Sequence, residues 1–187
     1  MVIAAAEELP SIGFEEFVRL EQDSPRRHEF VGGRVYVMAG GTERHDLAAG
    51  LTYERLAPGA RRQGCRAFTA NRLLRAGDAT YYPDVFVVCG RAANRLYETD
   101  ATVVVEVLSP STADVDRREK LAAYRQLPSL ELYVLLDPQS PRLEVVHLTR
   151  DGQLRWEVFG PGSVLPTRCG DLDIDDVYAT LDRSATT

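Results

Sequence analysis

The chain has 187 residues, of which 44% are hydrophobic and 27% are charged, and this composition is that of one globular domain with a substantial core. The net charge of −6 has the wrong sign for a protein that coats nucleic acid without sequence preference, although a local basic groove is compatible with it. The three cysteines and three histidines are dispersed along the sequence, which argues against a disulfide framework and against a zinc site.

The sequence contains no internal repeat and no low-complexity linker, so we predict a single domain over residues 1–187 with a loose N-terminal segment, residues 1–10. No apolar run is long enough to cross a bilayer. Residues 1–10 also lack the basic start and apolar centre of a signal peptide. These features predict a cytoplasmic protein that has no membrane partner.

The N-terminal part contains two helical patterns and one hairpin. Apolar residues recur at helical spacing over residues 14–20, and residues 28–39 form two strand-like runs around a Gly-Gly turn. Thr42 is a suitable N-cap for a second helix. We expect that helix to run to about Ala57, where Pro58-Gly59 ends it.

The C-terminal part alternates valine-rich strands with short helices. The predicted elements are strands over residues 85–88 and 101–108, a helix over 117–127 ended by Pro128, a strand over 130–136, a hairpin over 143–148 and 154–159, and a helix over 175–181. Because these strands and helices do not alternate as regular βαβ units, we predict an α+β fold with a mixed central β-sheet flanked by helices.

Glu106 is the residue that fits a plain core least well. It lies within Val103-Val104-Val105-Glu106-Val107-Leu108, which otherwise reads as a buried strand. Burial of a carboxylate is costly unless the group is paired or binds a metal ion. We favour a functional role, and the alternative is that this side of the strand faces water near the end of the sheet.

Asp84 precedes the other valine-rich strand and could be a turn residue only. If the two strands pair around a connection centred near Arg95, however, Asp84 falls opposite Glu106. Directly opposed side chains share a face, with Cβ atoms about 4.5–5.5 Å apart. Two carboxylates that close repel each other unless a cation or a proton lies between them. The pair is therefore a candidate clamp for a metal ion.

Lys120 is the only lysine of the chain. On the predicted helix it shares a face with Leu121, Tyr124 and Leu127, which should pack on the sheet that carries Glu106. A snorkelling lysine at the edge of the helix is the alternative. We favour a functional ammonium, since it can orient a water molecule or balance phosphate charge where a guanidinium would fit differently.

The spacing of these residues resembles a known family. Pro83-Asp84 is followed by Val104-Val105-Glu106-Val107-Leu108-Ser109-Pro110-Ser111-Thr112, and then by Asp116-Arg117, Lys120 and Tyr124. This pattern resembles the Uma family of restriction-endonuclease-like proteins, a branch of the PD-(D/E)XK nuclease superfamily. The resemblance runs from about Phe14 to Leu148 and implies a restriction-endonuclease-like core.

The resemblance implies a set of site residues. Asp84 and Glu106 would be metal ligands, with the carbonyl of Val107 as a third. Hard oxygen ligands favour Mg²⁺, with Mn²⁺ as the alternative ion. The superfamily places its catalytic lysine two residues after the glutamate, where this chain has Leu108, and the family pattern implies that Lys120 replaces it.

Glu29 would be an additional catalytic acid from the N-terminal part, again by resemblance, although a glutamate in a hairpin strand most often faces solvent. Arginines at 61, 62, 66, 72 and 75 are candidates for contacts with a phosphate backbone. The implied function is a metal-dependent endonuclease that hydrolyses phosphodiester bonds in nucleic acid, with DNA as the expected substrate. Cutting both strands requires two active sites, so a homodimer is expected.

Two alternatives stay open from the sequence. A catalytically inactive nucleic-acid-binding or interaction module of the same fold would agree with the acidic net charge and with Leu108 in place of lysine. An unrelated metal hydrolase that acts on small phosphoesters is the other alternative.

Overall fold

The computed structural model of the chain describes residues 11–38, 40–91, 94–149 and 151–184, without the side chain of Ser184. The predicted loose segment, residues 1–10, lies outside the described residues. The helices are α1 (Phe14–Asp23), α2 (Glu43–Arg62), α3 (three consecutive helical parts over residues 113–124) and α4 (Ile174–Ser184). The strands are β1 (His28–Val31), β2 (Arg34–Val37), β3 (Arg66–Thr69), β4 (Leu73–Ala76), β5 (Ala79–Tyr81), β6 (Val85–Val88), β7 (Tyr97–Glu98), β8 (Ala101–Val107), β9 (Leu132–Asp137), β10 (Arg142–Leu148), β11 (Leu154–Phe159), β12 (Val164–Thr167) and β13 (Gly170–Asp173).

The strands form three sheets. The central sheet has six strands in the order β11-β10-β9-β8-β6-β3, and the β8–β9 pair is parallel while its other pairs are antiparallel. A five-stranded sheet has the order β2-β1-β5-β4-β7, and β12 pairs with β13. The predicted α+β class with a mixed central sheet is confirmed.

The central sheet separates two hydrophobic clusters because successive side chains of a strand point to opposite faces. Val85, Val103 and Val105 face one cluster, which also contains side chains of α2 and α4. Phe86 and Val104 face the other, which contains side chains of α3 and of the five-stranded sheet. Glu106 is two residues beyond Val104 and therefore points to the second face, toward α3.

Helix α2 begins as predicted and ends later than predicted. The Thr42 side chain accepts a hydrogen bond from the amide of His45, which caps the helix. The prediction that Pro58 ends the helix is wrong, because α2 continues to Arg62. Proline removes one helical hydrogen bond there, and the helix continues because Leu56, Ala57 and Ala60 on either side of it are buried in the core.

Helix α3 begins earlier than the predicted residues 117–127 and is not a regular α-helix. An α-helical turn, Ala113–Val115, leads into a π-helical turn, Asp116–Lys120, and an α-helical segment, Leu121–Tyr124, ends the element. The π-turn accommodates an extra residue and changes which side chains face the sheet. Both Asp116 and Lys120 are consequently buried.

The dispersed cysteines meet in the fold, contrary to the expectation from their spacing. Cys65 and Cys89 form a disulfide with a Cα–Cα distance of 4.1 Å. They flank the paired strands β3 and β6, in which Arg66 lies opposite Val88, so the register places the two cysteines opposite each other. The odd number of cysteines hid this pairing.

Candidate metal centre

The centre is built where β6 begins and β8 ends. Val85 pairs with Val105, so continuation of the register by one residue places Asp84 opposite Glu106. This is the register expected from the sequence. The two strands do not form a simple hairpin, since β7 lies between them in the chain and joins the five-stranded sheet. Oδ2 of Asp84 accepts a hydrogen bond of 2.7 Å from the amide of Val107.

Glu106 is almost fully buried, with 3% of its surface exposed. Its Oε1 atom accepts hydrogen bonds from Nζ of Lys120 at 3.1 Å and from the hydroxyl of Tyr124 at 2.8 Å. Burial raises the pKa of Glu106 to about 8, with Lys120 opposing this shift and Asp84 adding to it. Buried carboxylates whose pKa is raised in this way are common at functional sites, which makes Glu106 a candidate site residue.

Lys120 lies among three carboxylates and does not project into solvent. Its Nζ atom is 3.1 Å from Glu106, 3.3 Å from Oδ1 of Asp116 and 3.6 Å from Oε1 of Glu29. Burial alone would lower the pKa of Lys120, but the three carboxylates outweigh burial and hold that pKa well above its ordinary value. The ammonium therefore stays charged, and it also lies 5.5 Å from the ring centre of Tyr81.

Glu29 joins this cluster from β1, in the five-stranded sheet. Its side chain is 20% exposed and is close to Lys120, so it is not the solvent-facing residue that its hairpin position alone suggests. Burial raises the pKa of Glu29 above its ordinary value, while Lys120 partly opposes the shift. The structure thus brings Glu29 to the residues with which the resemblance grouped it.

His45, in the first turn of α2, also belongs to the centre. Its Nε2 atom is 3.2 Å from Oδ2 of Asp84, and the side chain is 18% exposed. Burial lowers the pKa of His45, but the hydrogen bond and charge of Asp84 reverse this effect and raise it above the ordinary value. The sequence feature that could have indicated His45 is its place three residues after the N-cap Thr42, close to Gly40-Gly41.

Two further residues support Glu106 and Lys120. Tyr124 is fully buried and donates its hydroxyl to Glu106. Asp116 is also buried and faces Lys120 one turn away. Both residues belong to the family pattern, and helical periodicity placed Tyr124 on the face of Lys120, but the sequence assigned neither residue a chemical role.

The donor set fits a hard divalent cation. The cluster contains four carboxylates, from Glu29, Asp84, Glu106 and Asp116, and one lysine, which pairs with all of them except Asp84, so the carboxylates outnumber the ammonium. The hydrogen bonds and ion pairs described for the two proposed ligands go to Oε1 of Glu106 and Oδ2 of Asp84, which leaves the other oxygen of each carboxylate for a cation.

Three of the five arginines that were expected to contact phosphate make contacts within the protein. Arg66 and Arg72 both pair with Glu98, a fully buried carboxylate, at 2.9 and 2.8 Å. Arg75 lies over the ring of Phe14, 3.7 Å from its centre. These three side chains are engaged within the fold, so contacts of Arg66 and Arg72 with nucleic acid would compete with a buried ion pair.

Comparison with known proteins agrees with this geometry. The profile of the Uma2 family, described as "Putative restriction endonuclease", matches residues 14–170. The chain belongs to the Uma2 family. Restriction-endonuclease-like nucleases generally use divalent metal ions, and the donor set described above is of that chemical type. None of the described helices is both long and apolar enough to cross a membrane.

Relatives of the Uma2 chain include two proteins of Synechocystis sp. (strain ATCC 27184 / PCC 6803 / Kazusa). The uncharacterized protein slr1290 is 28% identical over 76% of this chain and 77% of its own length. The uncharacterized protein sll1609 is 26% identical over 83% of this chain and 89% of its own length. A crystal structure described as a putative nuclease belonging to DUF820 from Anabaena variabilis ATCC 29413 superposes with a TM-score of 0.77. The two sequences are 18% identical, and the superposition covers 91% of this chain and 99% of the Anabaena chain. The two proteins share the restriction-endonuclease-like fold.

Proposed function

We propose that this protein is a Mg²⁺-dependent endonuclease that hydrolyses phosphodiester bonds in DNA, with Mn²⁺ as a substitute ion. The observation that carries the proposal is the meeting of Asp84, Glu106 and Lys120 at one end of the central sheet. Two carboxylates on adjacent strands beside one charged amine are the groups that metal-assisted hydrolysis of a phosphodiester requires.

Each side chain has a separate role in the proposed reaction. Asp84 and Glu106, with the carbonyl of Val107, would hold the cation, which when bound lowers the pKa of water and polarises the phosphate. Lys120 orients the attacking water or neutralises charge on the phosphate through its ammonium. Glu29 accepts the proton that water loses, because burial has moved its pKa toward the range that suits a base near neutral pH.

His45 and Tyr124 act as positioning residues in this scheme. His45 holds Oδ2 of Asp84, and Tyr124 holds Oε1 of Glu106. Each therefore fixes one oxygen of a carboxylate and turns the other toward the cation. Second contacts of this kind set the orientation and the basicity of metal ligands, and their loss weakens metal binding without removing a ligand.

Cleavage of defined nucleic acids tests the proposal. Supercoiled plasmid, linear duplex, single-stranded DNA and RNA would be incubated with the purified chain in Mg²⁺, in Mn²⁺ and in excess chelator. We expect metal-dependent cleavage of DNA that is lost in chelator and in Glu106→Gln. Cleavage that persists in Glu106→Gln would contradict the role of Glu106, and cleavage of RNA alone would change the substrate.

A non-catalytic module of the same fold is the second candidate function. Leu108 stands at the superfamily's usual lysine position, and Lys120 is engaged by three carboxylates. Such a module would bind nucleic acid without Mg²⁺-dependent cleavage. Binding measured by fluorescence anisotropy with unchanged DNA length would favour this candidate over the nuclease.

We also propose that the protein acts as a homodimer through the free edge of β11, the outermost strand of the central sheet. Trp156 and Val158 are 48% and 56% exposed on this strand. If a second copy pairs antiparallel around Trp156, Arg155 of each copy lies opposite Glu157 of the other. Opposite charges in such cross-strand positions favour that register.

The proposed pairing has a consequence for the two centres. A twofold axis perpendicular to the sheet would join two six-stranded sheets edge to edge, with corresponding faces on the same side. Trp156 and Val158 share their face with Val146 and with α3. Both copies would then present their carboxylate clusters on one side of the joined sheet, as cleavage of two strands of one duplex requires.

A further inference from the structure

The three cysteines of the chain form a second cluster, remote from the carboxylates. The Sγ atoms of Cys65, Cys89 and Cys169 all lie within 4.8 Å of one another. Cys65 and Cys169 are buried, and Cys89 is half-buried. Cys89 follows β6 and Asp84 precedes it, so the two clusters lie at opposite ends of that strand, about 16 Å apart along the backbone.

Three separate elements bring the sulfur atoms together. The β3–β6 register places Cys65 opposite Cys89, and Cys169 comes from the turn between β12 and β13. That turn packs directly on α2 at Gly59, where a Cβ atom would lie only 1.5 Å from the carbonyl oxygen of Cys169. The close approach thus depends on a glycine, and the fold holds the third sulfur beside the other two.

The position of Cys169 does not favour attack on the disulfide. In thiol–disulfide exchange the attacking thiolate approaches one sulfur of the disulfide along the line of the S–S bond. The other sulfur of the disulfide is then one S–S bond length farther away, which places it more than 4.8 Å from the attacking sulfur. Cys169 instead lies within that distance of both sulfur atoms. Three sulfurs that lie this close together can bind one cation once the disulfide is reduced, since metal–sulfur bonds are about 2.3 Å long.

We infer that the reduced protein binds a soft cation, Zn²⁺ or Cu⁺, through Cys65, Cys89 and Cys169. Reduction of the disulfide by a phosphine or dithiol adds two electrons and two protons and yields three thiols. Binding then replaces the thiol protons, which pass to the buffer. Thiolate sulfur prefers these ions to Mg²⁺, and the half-buried Cys89 gives the ion a path to the site.

Titration of the reduced full-length chain tests this inference. The protein would be reduced with a phosphine, freed of metal and titrated anaerobically with Co²⁺, followed by competition with Zn²⁺; Cu⁺ would be titrated against a chromophoric chelator. We expect one ion per chain and a sulfur-to-cobalt charge-transfer band in the near ultraviolet. Absence of binding by all three ions would overturn the inference.

Two variants separate this site from the carboxylate cluster. Cys169→Ser should lower the affinity for the ion by about a hundredfold or more, because one of three ligands is lost. Glu106→Gln should leave the charge-transfer band unchanged. Equal affinity in Cys169→Ser would show a two-sulfur site and refute the inference. If Cys169→Ser fails to fold, alkylation of the wild-type chain decides, since the bound ion must protect Cys169 from the reagent.

Discussion

The carboxylate of Asp84 accepts a 2.7 Å hydrogen bond from the backbone amide of Val107, the residue that follows Glu106. This bond joins the residue before β6 to the last residue of β8. The backbone of the sheet therefore fixes the two carboxylates relative to each other, with no requirement for a bound ion. Substitutions that change only their charge should leave the fold intact.

We expect Asp84→Asn and Glu106→Gln to reduce Mg²⁺-dependent cleavage by more than about a hundredfold, because each removes a charged ligand of the proposed ion. Measured above pH 8, where Glu106 is ionised, thermal unfolding of the metal-free variants should occur at or above the wild-type temperature, since one of several crowded negative charges is gone. Cleavage at the wild-type rate, or an unfolded variant, would contradict the assignment.

Glu98 offers a matched control for these substitutions. It is as buried as Glu106, but its carboxylate pairs with Arg66 and Arg72. Glu98→Gln leaves two arginines without their buried partner, and we expect a loss of about 3 kcal/mol in the free energy of unfolding. Glu98→Gln should therefore unfold at a lower denaturant concentration than the wild type, whereas Glu106→Gln should unfold at the wild-type concentration or higher. A similar loss in Glu106→Gln would make Glu106 a structural residue.

The raised pKa of Glu106 predicts a pH dependence of stability in the metal-free protein. The folded carboxyl has a pKa of about 8, above the value of an unfolded glutamate, so the native state binds the extra proton between them. The free energy of unfolding should fall as the pH rises from about 4.5 to 8. Glu106→Gln should remove this part of the slope, as measured by urea unfolding at each pH. If the pH dependence of the free energy of unfolding is unchanged in Glu106→Gln, a group other than Glu106 titrates in this range.

Lys120→Arg should reduce cleavage by at least about tenfold. The guanidinium keeps the positive charge, but it is larger and planar, and it cannot replace a compact ammonium among three carboxylates. Arg118→Lys, at an exposed position of the same helix, is the matched control and should cleave normally. Full activity of Lys120→Arg would leave Lys120 with a purely electrostatic role.

The role of His45 can be separated from that of the ligands. His45→Ala should weaken the apparent affinity for Mg²⁺ by roughly tenfold, because Asp84 loses the partner of its Oδ2 atom. His45→Gln keeps a donor and should recover part of this loss. Mg²⁺ dependence of the cleavage rate measures both effects. A change in the maximal rate without a change in Mg²⁺ dependence would assign His45 to the chemical step.

Exchange of charges on β11 tests the proposed dimer. Arg155→Glu and Glu157→Arg should each weaken self-association, since like charges would then face each other twice across the twofold axis. The double variant restores opposite charges and should dimerise again, as measured by sedimentation velocity. A wild-type chain that stays monomeric at high concentration, or a double variant no better than either single variant, would exclude this edge.

The sequence could predict the centre only as far as local patterns reach. Valine-rich strands, their symmetric spacing about Arg95 and the out-of-place Glu106 were enough for the β6–β8 register, because strand pairing follows from hydrophobic alternation. His45 and Glu29 come from a helix and a hairpin in other parts of the chain. No local period connects such residues to the sheet end, so the family resemblance groups Glu29 with the centre and the fold adds His45.

The same limit explains the missed strands and the longer helix. Strands β3, β4 and β5 have only three or four residues each, which is too short for an alternation of apolar and polar residues to predict them. Pro58 lies inside α2 because tertiary packing of that helix overrides its local preference. The sulfur cluster was equally hidden, because Cys169 reaches it through the packing of a hairpin on Gly59.

The π-turn Asp116–Lys120 makes the position of the amine depend on the number of residues in α3. Loss of one residue ahead of Lys120 would let the segment relax to an ordinary α-helix, in which each residue is rotated by about 100° from the last. Either Lys120 and Tyr124 would rotate together away from Glu106, or Asp116 would turn away from Lys120. Deletion of a single codon could therefore abolish the proposed cleavage activity although every proposed catalytic residue is still present.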